Sequence, residues 1–166
     1  MTGGLVYLDA SAIVKLVRRE RESAELAEWL ALRDEAVSSA LASVEVRRAL
    51  RRAAAPADVL KEAEHQLQVV TLVAIASHVL ELAGRLPGGH LRALDAIHLA
   101  TALTLGGLPD ALVTYDKRLA DAARRHGLTV VHPGGRAVGL SGPASNLRRR
   151  CAGRRGAHRD RCAPSP

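Results

Sequence analysis

Three carboxylates in this chain stand where an acid is costly or unusual, and with Glu45, which alone would read as a solvated residue, they have as a set the chemistry of a hard-cation site. Asp9 closes the apolar run Gly4–Leu8 (GLVYL), and Asp116 comes just after the run Ala111–Thr114 (ALVT). In an open parallel sheet, ligands bind beyond the carboxyl ends of the strands, so both acids are placed at that edge. A carboxylate there gives up hydration that something must replace. Each could instead cap the helix that follows it, because Asp is a favoured N-cap. Asp95, at helical spacing, shares a face with Leu91, Leu94, His98, Ala102 and Leu105. An acid in such a stripe needs a metal or a partner, so a salt bridge to a core Arg or to His98 is the other reading. Glu45 lies beside Leu41 and Val44, with Arg47 and Arg48 near enough in sequence to pair with it. Hard divalent cations take several oxygen ligands, and Mg²⁺ combines a few carboxylates with water. One or two such ions can generate hydroxide and stabilise the charge that develops on a phosphodiester. Without a cation, four crowded carboxylates would raise one another's pKa.

The elements that must position these acids alternate along the chain. Short strands are expected at 4–8, 35–39, 68–72, 111–114 and 128–131. Helices are expected at 12–19 with Ser11 as cap, from Ser23 through AELAEWLALR, and at 40–55, 57–66, 77–86, 91–105 and 117–126. Breakers fall at Pro56, Pro87-Gly88-Gly89, Gly106-Gly107 and Gly127. Strands alternating with helices of about ten residues imply right-handed crossovers, hence an α/β fold with a parallel sheet covered on both faces.

Composition sets outer bounds. The 166 residues are 48% apolar but only 2% aromatic, without Phe, so the core must be built from Leu, Val, Ile and Ala. Arg outnumbers Lys by 21 to 3, as a GC-rich coding sequence would produce. The net charge of +7 is unevenly spread. Residues 1–133 contain 16 basic and 16 acidic side chains, whereas residues 134–166 contain 8 Arg and the single acid Asp160. The body is therefore neutral, and pI alone is no argument for a polyanionic partner. No run approaches the roughly 18 apolar residues of a membrane span, no signal peptide is evident, and both cysteines, Cys151 and Cys162, lie in the last segment. A cytoplasmic protein with no membrane association is expected. One domain at 1–133 followed by a disordered Gly/Arg/Pro-rich tail at 134–166 is the expected organisation.

The segments YLDASAIVKL, SSALASVEVRRAL, LRALDAIHLATAL and LVTYDKRLADAARRHGL resemble, in order, the four acidic signatures of the PIN domain, and most of all its VapC-like toxins. The resemblance runs over residues 4 to about 133. It implies a Rossmann-like α/β/α domain in which Asp9, Glu45, Asp95 and Asp116 are catalytic metal ligands. It further implies dependence on Mg²⁺, with Mn²⁺ substituting, endonucleolytic cleavage of RNA, a homodimer, and restraint by a small VapB-like antitoxin. Ser11 and Thr114 match hydroxyl positions that orient the acids and waters.

Other residues read more plainly. Asp121, a spare acid near the site in sequence, reads as a solvated helix residue, and His98 reads as a packed, hydrogen-bonded histidine in preference to a general acid. Arg47, Arg48, Arg51 and Arg52 form a solvated helix face or an edge that contacts phosphate or an acidic antitoxin segment. Trp29 fits either a core or a partner groove. Cys151, His158 and Cys162 are too irregularly spaced to suggest zinc. Rival α/β classes lack their marks: a haloacid-dehalogenase-like phosphatase needs a second Asp at position 11, and a receiver domain needs one after the QVVTL strand. A flap endonuclease needs a longer chain. A noncatalytic PIN scaffold that only binds RNA or protein is the remaining alternative, and such scaffolds typically lose acids.

Overall fold

The computed structural model describes residues 4–88 and 90–135. Among them run β1 (Leu5–Leu8), α1 (Ala10–Arg18), α2 (Ser23–Leu30), β2 (Glu35–Ser39), α3 (Ala42–Arg52), α4 (Ala57–Val69), β3 (Thr71–Val73), α5 (Ser77–Arg85), α6 (Ala93–Thr104), β4 (Pro109–Val113), α7 (Lys117–Arg125) and β5 (Val130–Val131). The strands form one sheet, β3-β2-β1-β4-β5, with every pairing parallel.

Central β1 is an apolar run because both its faces are covered. Val6 and Leu8 point to one side and meet Ile13, Leu26, Val46 and Leu50 from α1, α2 and α3. Leu5 and Tyr7 point to the other, against Leu99 of α6 and Leu119 of α7. The period-two alternation of side chains along a strand thus divides the core into two layers. Helices α1 to α4 pack on one another over the first face, while α6 packs on α5 and α7 over the second. Chain direction changes sides between β1 and β4, since β1 leads towards β2 while β4 lies across from it. Asp9 and Asp116 come just after those two strands, at the crevice such a switch point opens.

Most boundaries differ from the sequence expectation by one to three residues, two of them for identifiable local reasons. Helix α1 starts at Ala10, because Asp9 and not Ser11 is the N-cap, its carboxylate accepting from the Ala12 amide. Strand β3 begins at Thr71, because α4 continues through Val69, with Ala63, Leu67 and Val70 buried along one side and Val69 facing solvent. Gly127 (φ 80°) takes the left-handed turn that ends α7, which a side chain would strain. No helix among the described residues is long and apolar enough to cross a membrane. The expectations for the tail, including Cys151, His158 and Cys162, fall on residues 136–166, outside the described residues.

Candidate active site

Asp9 is the most deeply buried of the four acids. Its Oδ1 accepts from Ser11 Oγ (2.7 Å) and the Ala12 amide (2.9 Å), and its Oδ2 accepts from Thr114 Oγ1 (2.7 Å). Ser11 Oγ in turn accepts from the Tyr115 amide, and Thr114 Oγ1 accepts from the Asp116 amide. The two hydroxyls thereby tie the end of β1 to the loop after β4. Burial pushes the Asp9 carboxyl up from its ordinary range, while the Thr114 and Ser11 hydroxyls, His98 and the Ala12 amide hold it back. Asp9 therefore caps α1 from the carboxyl edge of β1.

Asp116 caps α7, its Oδ1 accepting from the amides of Arg118 and Leu119. Asp95 is the third residue of α6, whose N-cap is Arg92. From there it can reach back to the Arg92 amide, as acids at this position do in a capping box. Helix α6 runs opposite to the strands, so its first turn lies at the same carboxyl edge as Asp9 and Asp116. Neither salt bridge considered for Asp95 forms. Instead its Oδ2 is sealed from solvent with no hydrogen-bond partner, the one such side-chain atom among the described residues. Burial raises its pKa, Asp116 and Glu45 raise it further, and the Arg92 amide and guanidinium oppose them.

Glu45 lies in the first turn of α3. The arginines beside it in sequence do not pair with it. Arg47 forks onto Glu64, at 2.7 Å and 2.6 Å, and Arg48 is exposed. The partner of Glu45 is His98, whose Nε2 stands 2.7 Å from Glu45 Oε2. His98 is buried, with its Nδ1 2.9 Å from Tyr7 Oη. Spacing arguments pass over Tyr7. The signal it does carry is compositional: it is one of two Tyr in a chain without Phe, set in an apolar strand two residues before Asp9.

The four acids come from four elements, and Asp116 and Glu45 act on Asp95 through space. Among the described residues, however, no three His, Cys, Asp or Glu side chains form a group set to hold an ion. Like charges repel, so carboxylates on separate elements do not converge on a point by themselves. Two observations fit a hard divalent cation here. A buried, unpartnered carboxylate oxygen is costly without a positive partner, and the donors are oxygens, as Mg²⁺ and Mn²⁺ prefer. The remaining candidates lie apart from this chemistry. Asp121 is exposed on α7 beside Arg124, and Trp29 is half-buried under the Arg33 guanidinium, 3.9 Å from the ring centre.

The class so defined is an open, all-parallel α/β domain with acids just beyond the carboxyl ends of β1 and β4. The PIN domain model matches residues 6–125. Ribonuclease VapC46 of Mycobacterium tuberculosis is 48% identical over 128 residues, covering 77% of this chain and 97% of that protein. Ribonuclease VapC35 of the same species is 44% identical over 134 residues, covering 78% and 98%. Among solved structures, Mycobacterium tuberculosis VapC20, described as a sarcin–ricin-loop-cleaving toxin, superimposes with a TM-score of 0.62 at 18% identity, covering 77% of this chain and 99% of that one. VapBC2 from Rickettsia felis, solved on a DNA fragment from its promoter, gives 0.53 at 12% identity, covering 78% and 98%. This chain belongs to the PIN-domain family, among its VapC ribonucleases.

Proposed function

We propose that this protein is an endoribonuclease dependent on Mg²⁺ or Mn²⁺, acting as the toxin of a toxin–antitoxin pair. The observation that carries the reading is the unpartnered Asp95 Oδ2, facing Asp116 and Glu45 electrostatically in a chain similar to proteins named ribonuclease. Asp9, Asp95, Asp116 and Glu45 would hold the metal, directly or through water. A bound divalent cation supplies hydroxide at neutral pH and offsets charge on the phosphodiester as it is displaced.

The chain's own residues do the rest. The hydrogen bonds from Ser11, Thr114 and the Ala12 amide leave Asp9 little rotational freedom, so its position is set before RNA arrives. A carboxylate free of such bonds accepts the proton of the attacking water, and in-line attack at phosphorus leaves 5′-phosphate and 3′-hydroxyl ends. Arg48, exposed on the helix that carries Glu45, would contact the RNA backbone. A VapB-like antitoxin restrains the enzyme, a pairing supported by the likeness to the VapBC2 complex. The active form is a cytoplasmic homodimer.

The test is cleavage of a labelled RNA with Mg²⁺, with Mn²⁺ and with EDTA, the new ends being mapped chemically. Metal-dependent cleavage that leaves 5′-phosphates is the expected result. Undiminished cleavage in EDTA, or at the wild-type rate by folded Asp9→Asn, overturns the reading.

A further inference from the structure

We propose that Tyr7 and His98 form a positioning relay that fixes the Glu45 carboxylate at the acidic crevice; this rests on the nuclease reading above. The relay spans three elements. Tyr7 Oη accepts from the Ser39 amide at the end of β2 (3.1 Å), and it lies 2.9 Å from His98 Nδ1. His98 Nε2 lies 2.7 Å from Glu45 Oε2. The rings of Tyr7 and His98 meet edge to face, their planes at 82°. With a carboxylate at Nε2, that nitrogen carries a proton and donates it. Tyr7, already accepting from Ser39, then donates its hydroxyl proton to Nδ1. With that tautomer every donor in the chain Ser39–Tyr7–His98–Glu45 has an acceptor.

Exposure shows the direction in which the relay acts. The His98 side chain is 3% exposed and that of Glu45 is 22%, so the fixed end is interior and the free end opens on the crevice. Glu45 needs such an anchor. It is carried on a flexible stem whose ordering costs on the order of 1–2 kcal/mol of rotamer freedom, and the nearby Arg47 is committed to Glu64. Tyr7 and His98 are both buried, so each is a positioning residue that acts through Glu45. A histidine held this way sets its partner's orientation, and loss of such outer partners costs metal sites about 10–100-fold in affinity or activity.

The experiment measures Mn²⁺ affinity of the full chain by electron paramagnetic resonance, metal-free melting temperature, and kcat and KM for RNA. The proteins are wild type, His98→Leu, His98→Gln and Tyr7→Phe, with Glu45→Gln alone and combined with His98→Leu. Leu fills the space without a donor, whereas Gln places an amide near the position of Nε2. The expected result is a fall of about 10–100-fold in Mn²⁺ affinity and kcat for His98→Leu, with KM little changed. His98→Gln should recover most of the loss, and Tyr7→Phe should lose a few-fold. In the Glu45→Gln background, His98→Leu should cost nothing further, because the two act as a unit. Wild-type Mn²⁺ affinity in His98→Leu, or equal losses with and without Glu45, overturns the relay and leaves the nuclease reading standing. Absence of Mn²⁺ binding and cleavage in the wild type itself removes the nuclease reading, and the relay with it.

Discussion

Removing the charge of Asp95 should stabilise the metal-free protein, although the residue belongs to the proposed site. Its Oδ2 is sealed off and unpartnered, and Asp116 and Glu45 repel it. An unsatisfied buried polar group costs about 1–3 kcal/mol, more when charged. The rest of the side chain is half-buried, and solvent screens the two repulsions. The low end therefore applies, and Asp95→Asn should gain about 1 kcal/mol. For a body of this size, with an unfolding entropy of about 2 cal/mol/K per residue, that is a rise of roughly 3–4 °C in melting temperature. Metal should invert the order. At a hundredfold excess over Kd, a ligand bound only by the native state adds about 2.7 kcal/mol. A variant that binds about 100-fold more weakly gains only about 0.4 kcal/mol at that concentration, so wild type becomes the more stable by roughly 1 kcal/mol. The sign with pH follows from linkage. The folded pKa of Asp95 lies above its unfolded value, so the cost is full above the folded pKa and disappears as pH falls through it. The gap between the two metal-free proteins should close on acidification. Thermal unfolding in EDTA and across an Mg²⁺ series, repeated at several pH values, checks all three. A metal-free Asp95→Asn protein less stable than wild type, or one with an undiminished metal response, refutes the reasoning.

Further outcomes follow from the same geometry. Thr114→Val removes the hydroxyl between Asp9 Oδ2 and the Asp116 amide, so melting in EDTA should fall by about 1.5–3 kcal/mol. Asp9→Asn should fold yet cleave RNA at least ~100-fold more slowly, the scale on which losing one charge-stabilising group acts in other enzymes; single-turnover assays measure it. Expression of wild type without an antitoxin should arrest growth while Asp116→Asn is tolerated, as colony counts across induction levels would show. A truncation ending at Pro133 keeps all four acids and removes the excess of +7. It should cleave at the full-length maximal rate, with a log–log salt dependence of RNA binding shallower by about 0.7 for each phosphate that the tail no longer neutralises; a salt titration in Ca²⁺ compares the two.

Local pattern by itself placed two of the acids. An apolar run that ends in Asp puts that carboxylate at a strand's carboxyl edge whichever strands lie alongside, so Asp9 and Asp116 were legible from sequence, as were the parallel sheet and its helices. As a cap, Asp116 uses only one of its two oxygens, so capping leaves Oδ2 clear of the α7 amides. The pairing of Glu45 was decided only by tertiary structure. Sequence distance favoured Arg47, but α4 brings Glu64 to that guanidinium, and His98, 53 residues away, takes the carboxylate. The Tyr7–His98 pair spans 91 residues. It exists because β2 pairs with β1 while α6 packs across both, an order that no local window contains. The bare Oδ2 of Asp95 has the same origin. Periodicity put the acid on an apolar face, but whether a counter-ion meets it depends on which side chains the packed elements bring there, and among the described residues none does.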